Sequence, residues 1–183
     1  MNKFLSNLAP WLMLCALVSP TTLATESSSI TPHKVAEQQH KWTFILVRHG
    51  EKLKEKNPGL NPQGQARADR LAQMLAHIPL DKVYSTDYKR TLQTAEPTAL
   101  HHNKTIEIYD PSELAAFTET LMTRPGTYLI VGHGNTTITL AKKLSLQTDV
   151  DKMDYTEDYD RLYFIEVNQM GNKQTHSIYR FSY

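Results

Sequence analysis

Two segments of this chain share one pattern, an apolar run that ends in a histidine beside a glycine. Residues 44–47 are followed by Arg48-His49-Gly50, and residues 128–131 are followed by Gly132-His133-Gly134. Uninterrupted apolar, β-prone runs are typical of strands buried on both faces of a parallel sheet. Ligands bind beyond the carboxyl ends of such strands. The pattern therefore predicts that His49 and His133 face one crevice. A single histidine at a strand end would more often be structural, but two at matching positions favour a functional site.

The remaining chain alternates between predicted strands and helices. Asn61-Pro62 is typical of a helix start, Pro97 predicts a kink or an early end in a second helix, and Ser112 is a possible cap for a third. Two strand-like runs near the C-terminus surround residues 168–172, which predicts a hairpin. The predicted strands are residues 42–47, 82–85, 105–109, 127–131, 161–167 and 175–181. The fold class is α/β: a three-layer sandwich with a mainly parallel sheet, helices on both faces and an antiparallel C-terminal hairpin.

The N-terminal residues resemble a secretion signal. Lys3 precedes an apolar stretch over residues 8–18, and Ala24 offers a small residue for cleavage. We therefore expect a signal peptide over residues 1–24, a polar leader over 25–41 and one domain over 42–183. The protein is expected to be exported, to the periplasm, with no stable membrane span after processing. An uncleaved anchor is the alternative, although the stretch is short for a span.

Composition narrows the chemistry further. Cys15, the single cysteine, lies in the predicted signal, so the mature protein would have no disulfide, thiol nucleophile or thiolate metal site. Processing would lower the net charge from +1 to zero, which gives no general attraction to nucleic acid. A bound anion must then be held by a local positive cluster. The acidic segment 149–160, which contains Tyr155 and Tyr159, could rim the pocket, but it is interpreted as a solvated loop.

A third element supplies such a positive charge. The pattern of residues 84–95 again predicts the end of a strand followed by a helix, with Arg90 in the first helical turn. A guanidinium and a helix N-terminus both suit a phosphate dianion. Taken alone, Arg90 could equally be a solvated side chain that pairs with Asp87.

Taken together, these motifs resemble the histidine phosphatase superfamily, also called the phosphoglycerate mutase-like family. The similar stretches are residues 47–51 (Val-Arg-His-Gly-Glu), 60–66, 84–95 and 131–134 (Val-Gly-His-Gly). The similarity runs from about Trp42 to the C-terminus. The absence of a long stretch between residues 95 and 110 suggests a small member without a large cap insertion.

The resemblance implies a role for each site residue. Neutral His49 would attack phosphorus and become a phosphohistidine, which water then hydrolyses. Arg48, Arg90 and His133 would surround the phosphoryl oxygens, and Gly50 would let the backbone approach the substrate. Such a clamp needs no metal or other cofactor.

The leaving oxygen also needs a proton donor, which the family supplies as a carboxyl group near the end of the third strand. Asp110 is the first candidate and Glu113 the second, where Glu113 would also line the substrate site. Either could instead be structural, as a turn residue or a helix first-turn acid. Glu51 is more plausibly a residue that orients a pocket group.

The expected function is hydrolysis of phosphomonoesters, or of protein phosphohistidine, through the His49 intermediate. The partner is thus a phosphorylated small molecule, glycan or protein. The alternatives are a phosphoglycerate mutase-type phosphotransferase and a non-catalytic phosphate-binding module. Export and the missing cap argue against the mutase. The presence of both histidines and both arginines argues against the binding module.

Overall fold

The computed structural model describes residues 39–150 and 158–183. Six strands form one sheet in the order β3-β2-β4-β1-β5-β6. The first four of these run parallel, while β5 is antiparallel to β1 and β6 is antiparallel to β5. The elements are β1 (Gln39–Arg48), α1 (Pro62–Leu75), β2 (Lys82–Ser85), α2 (Lys89–His101), β3 (Ile106–Ile108), α3 (Leu114–Met122), β4 (Gly126–Gly132), α4 (Gly134–Ser145), β5 (Arg161–Met170) and β6 (Lys173–Ser182). The predicted α/β class and C-terminal hairpin are confirmed.

The strand β1 lies inside the sheet and is buried on both faces. Side chains alternate along a strand, so Phe44 and Leu46 pack toward α3 and α4, and Ile45 and Val47 pack toward α1 and α2. All four side chains are fully buried. This double burial explains the uninterrupted apolar run, and it fixes the strand end from which His49 projects.

Several helix boundaries follow local chemistry. Asn61 caps α1, where its side chain accepts a hydrogen bond from the Gly64 N–H at 2.9 Å. Pro97 lies within α2, which continues to His101, so the expected early end is wrong. Ser112 does not cap α3, because the cap position is Glu113 and the Ser112 hydroxyl bonds Asp110 instead.

The turn of the C-terminal hairpin is shorter than the predicted loop over residues 168–172. The strands β5 and β6 pair through Met170 and Lys173, which leaves a two-residue turn. Gly171 opens that turn with φ of 56°, in the left-handed region that glycine tolerates best. At the other end of the sheet, β1 begins at Gln39, three residues before its predicted start. The described residues contain no helix long and apolar enough to cross a membrane.

Candidate active site

The carboxyl ends of β1 and β4 meet at the centre of the sheet. Arg48 pairs with Gly132 in the parallel register, and the His49 N–H donates to the Gly132 carbonyl at 2.9 Å. The His49 and His133 rings then lie with their centroids 5.7 Å apart. The two histidine motifs therefore share one crevice, as their position at parallel strand ends predicts.

His49 is buried and electrically neutral. Its Nδ1 lies 2.7 Å from the Gly50 carbonyl oxygen. Because a carbonyl can only accept, Nδ1 carries the proton and Nε2 keeps its lone pair. Burial lowers the pKa of His49 to about 3, and the positive charges of Arg48 and Arg90 act in the same direction. The ring is thus neutral across the physiological pH range, with the lone pair of Nε2 available for reaction.

His133 occupies the start of α4 and contacts residues of the β2–α2 segment. Its Nδ1 lies 3.4 Å from Arg90 Nη2, and its Nε2 lies 3.1 Å from the Thr86 hydroxyl. Burial lowers the pKa of His133 to about 4, with Arg90 and Arg48 adding to the effect. His133 is therefore also neutral, so it can offer one N–H and no full charge.

The positive charge of the site belongs to two arginines. Arg48 is buried at the end of β1, and Arg90 lies in the first turn of α2. Burial lowers the pKa of Arg90, and Arg48 lowers it further. Two guanidinium groups beside two neutral histidines suit a phosphoryl dianion, which would offset the repulsion between the cations.

Four residues of the site were missed by the sequence analysis. Tyr88 packs edge-on against His133 at 5.0 Å and lies under the Arg90 guanidinium at 4.6 Å. Tyr159 lies 4.1 Å from the Arg48 guanidinium carbon, so it is not part of a purely solvated loop. Residues 151–157 of that acidic segment, including Tyr155, are outside the described residues. Thr86 and Thr94 complete the set.

Thr94 links the segment after β1, which contains His49 and Gly50, to α2. The Gly50 N–H donates to the Thr94 hydroxyl at 2.9 Å, and that hydroxyl donates to the Arg90 carbonyl at 2.7 Å. The spacing of Arg90 and Thr94 by one helical turn is visible in the sequence and could have suggested this role. No sequence signal links Tyr159 to Arg48, because that contact depends on the tertiary fold.

Glu51 lies in an ion pair rather than against His49. The Arg67 guanidinium donates to Glu51 from Nη2 at 2.6 Å and from Nε at 3.0 Å. Burial raises the pKa of Glu51, but the Arg67 hydrogen bonds and the other favourable contacts outweigh it, and the net pKa is below its usual value. Arg67 also donates to the Tyr183 carbonyl at 2.8 Å, and the Tyr183 N–H donates to the Asp160 carbonyl at 3.0 Å. This network fits the predicted orienting role of Glu51.

The hydrogen bonds of Asp110 favour its ionised form. Its exposed carboxylate accepts hydrogen bonds from the Ser112 hydroxyl at 2.6 Å and the Ser112 N–H at 2.8 Å. These bonds lower the pKa of Asp110, whereas a general acid needs a raised pKa. Glu113 is exposed at the cap position of α3. Ser112 thus stabilises the ionised form of Asp110, and the assignment of the general acid to Asp110, with Glu113 second, stays a prediction.

The part of the chain that the structure describes contains no cluster of side chains suited to bind a metal ion. No group of three or more histidine, cysteine, aspartate or glutamate side chains is arranged there to hold an ion. The arginines provide the positive charge that this site offers to a phosphoryl group.

Comparisons with known proteins relate the chain to phosphoryl-transfer enzymes. Residues 44–115 match the model of the histidine phosphatase superfamily (branch 1). No curated protein matches the chain. Among solved structures, a putative phosphohistidine phosphatase SixA from Nakamurella multipartitia is 19% identical with a TM-score of 0.54, where the match covers 76% of this chain and 95% of that one.

Two further structures share the fold. A mycobacterial glucosyl-3-phosphoglycerate phosphatase is 10% identical with a TM-score of 0.54. The match covers 79% of this chain and 99% of that one. A phosphoglycerate mutase from Plasmodium falciparum is 17% identical with a TM-score of 0.57, and covers 79% and 94% respectively. At such identities the likeness concerns the fold.

Proposed function

Because residues 44–115 of this chain match the histidine phosphatase superfamily, we propose that it is a phosphatase that works through a covalent phosphohistidine on His49. The observation that carries the proposal is the neutral His49 ring beside Arg48, Arg90 and His133. Nε2 of His49 attacks phosphorus, and the alkoxide or amine of the substrate departs with its electron pair and takes up a proton. Water then attacks the phosphohistidine, releases inorganic phosphate and returns the imidazole to its neutral form.

The guanidinium groups supply most of the electrostatic stabilisation. Charge spreads over the three equatorial oxygens during phosphoryl transfer. Arg48 and Arg90 are held in position by Tyr159, Tyr88 and His133 before substrate arrives. Such fixed donors stabilise the transition state without reorganisation.

The substrate class is a phosphomonoester or a protein phosphohistidine. The glucosyl-3-phosphoglycerate phosphatase and the putative phosphohistidine phosphatase SixA are neighbours of both kinds. The link between α2 and β3 consists of residues 102–105 and carries no cap over the site. A site without a cap at this point admits water, which favours hydrolysis over transfer between two sugar-acid hydroxyls.

Trapping of the intermediate tests the mechanism. The wild-type protein, mixed with a ³²P-labelled phosphodonor and quenched, should carry acid-labile, base-stable label, and His49→Ala should carry none. His101→Ala, which changes an exposed histidine at the end of α2, is the matched control and should label normally. Label that persists in His49→Ala would show that another residue is the nucleophile.

We also propose export of the protein to the periplasm with cleavage after Ala24, from the basic and apolar pattern of residues 1–24. Mass spectrometry of the protein from its native envelope should find Thr25 as the first residue. An intact Met1 on a membrane-bound protein would contradict cleavage.

A further inference from the structure

Two buried threonines and the partly buried His133 form a hydrogen-bonded chain behind the proposed phosphate site. His133 Nε2 lies 3.1 Å from Thr86 Oγ1, which lies 3.0 Å from Thr91 Oγ1. Thr91 Oγ1 in turn lies 2.8 Å from the Thr86 carbonyl oxygen and 2.9 Å from the Tyr88 carbonyl oxygen. Both threonines are fully buried, so water does not compete for these bonds.

The two carbonyl groups determine the direction of the whole chain. A carbonyl oxygen only accepts, so the single hydroxyl proton of Thr91 must be directed to one of them. The Thr86 hydroxyl must then donate to Thr91 Oγ1, and its own lone pair must accept a proton from His133 Nε2. His133 is thereby specified as the tautomer that is protonated at Nε2.

The other ring nitrogen agrees with this assignment. Nδ1 faces Arg90 Nη2 at 3.4 Å. A guanidinium nitrogen only donates, so Nδ1 must be without a proton. The opposite tautomer would place an N–H against this donor and would drive the Arg90 guanidinium away from the ring.

We propose that Thr86 and Thr91 are positioning residues that hold His133 in the Nε2–H tautomer and thereby hold Arg90 in the phosphate site. The contribution to catalysis rests on the proposed phosphatase function, whereas the tautomer itself does not. The isosteric loss of the Thr86 hydroxyl removes the acceptor for Nε2–H, lets the ring change tautomer and releases Arg90. Loss of one such hydrogen bond corresponds to about a tenfold decrease in kcat/KM.

The test compares four single variants of the full chain. Thr86→Val removes the acceptor, and Thr86→Ser keeps the hydroxyl. Thr98→Val is the matched control, because Thr98 is another fully buried threonine of α2 whose hydroxyl has no hydrogen-bond partner among the described residues. Thr91→Val keeps Thr86 but removes the acceptor of its proton, and it serves if Thr86→Val does not fold.

The first readout is the tautomer of His133 in the substrate-free protein, from long-range ¹H–¹⁵N spectra assigned with His133→Gln. We expect Nε2–H in the wild type, in Thr86→Ser and in Thr98→Val, and a mixture of tautomers in Thr86→Val and Thr91→Val. A wild-type ring protonated at Nδ1, or an unchanged tautomer in Thr86→Val, would overturn the proposal.

The second readout is function. We expect Thr86→Val to weaken the binding of inorganic phosphate and to lower kcat/KM about tenfold, with most of the loss recovered in Thr86→Ser. Unchanged phosphate binding and kcat/KM in a Thr86→Val protein with mixed tautomers would refute the link to Arg90. If the wild type hydrolyses no phosphoester or phosphoramidate yet shows the expected tautomers, the proposed function fails and the assignment of Thr86 stands.

Discussion

Tyr159 covers the guanidinium of Arg48, with the Arg48 Cζ atom 4.1 Å from the centre of the tyrosine ring. The same ring lies 6.0 Å from that of His49. A residue that precedes β5 thus forms a wall for two residues at the end of β1. An aromatic face stabilises a cation and limits its hydration, so Tyr159 helps to fix Arg48 in the proposed phosphoryl site.

Loss of this ring should weaken the site measurably. Tyr159→Leu removes a cation–π contact of about 1 kcal/mol, and we expect kcat/KM to fall roughly fivefold. Tyr159→Phe keeps the aromatic face and should remain close to the wild type. Tyr179→Leu, a change of a half-exposed tyrosine on the edge strand β6, is the control. Equal kcat/KM values in Tyr159→Leu and the wild type would remove Tyr159 from the site.

The Glu51–Arg67 pair should contribute strongly to stability. Arg67→Gln leaves a buried carboxylate without its cation, so we expect the free energy of unfolding to fall by about 3 kcal/mol. Arg70→Gln changes an exposed arginine of the same helix and should stay within about 0.5 kcal/mol of the wild type. Urea unfolding measures both. The Glu51→Gln/Arg67→Gln double variant should recover part of the loss, and a change no larger than that of Arg70→Gln would contradict this reading of the pair.

The neutral histidines predict acid sensitivity of folding. The pKa values of His49 and His133 are lowered to about 3 and about 4 in the folded protein. Between pH 6.5 and about 4 the unfolded chain therefore binds more protons, and stability falls as the pH falls. Each histidine contributes at most about 1.4 kcal/mol per pH unit in that window.

Unfolding experiments between pH 5 and 7.5 measure this slope. His49→Gln should show a smaller dependence on pH than the wild type, whereas His101→Gln should not. The lowered pKa of Glu51 also makes stability depend on pH, but mainly at lower pH. Measurements above pH 5 therefore keep the contribution of Glu51 to the slope small. An identical slope in His49→Gln would show that His49 is not held neutral.

Leaving groups of graded basicity test the role of Asp110. A general acid assists only the departing oxygen, so its loss is severe for alkyl phosphates and mild for nitrophenyl phosphate. The hydrogen bonds from Ser112 keep Asp110 ionised, and we therefore expect Asp110→Asn to change all substrates by a similar factor. A graded loss would restore Asp110 as the acid. A graded loss in Glu113→Gln would assign that role to Glu113.

Chelation tests the source of positive charge. Because Arg48 and Arg90 provide the cations for the phosphoryl group, phosphatase activity should survive exhaustive treatment with EDTA. The measurement is the rate of phosphate release before and after dialysis against the chelator. Loss of activity that a divalent ion restores would require a metal site outside the groups described above.

The sequence predicted the parts of the fold that depend on local patterns. The double-sided burial of β1 and β4 is visible in their apolar runs, and the Asn61 cap of α1 follows from its side chain and Pro62. The shared crevice of His49 and His133 follows from the geometry of parallel strands. Of the two effects predicted for Pro97, a kink or an early helix end, the early end is wrong, because α2 continues past it to His101.

The parts that sequence reasoning missed depend on contacts between distant segments. Tyr159 meets Arg48 only because β5 pairs with β1, and Thr86 meets His133 only because β2 pairs with β4. The sequence placed Asp110 after the third strand, but it could not show the protonation state of its carboxyl group. Two hydrogen bonds from Ser112 decide that state, and they depend on the local turn.

The position of β1 also has a consequence for how the chain reaches its native state. Trp42 pairs with Gly126 in β4 and with Val167 in β5, and both partners are synthesised long after β1. Pairings between such distant segments form slowly. The apolar strand that precedes His49 must therefore wait unpaired, exposed to aggregation, until most of the chain has emerged. The sheet around His49 is accordingly complete only once β5 has been synthesised and has paired with β1.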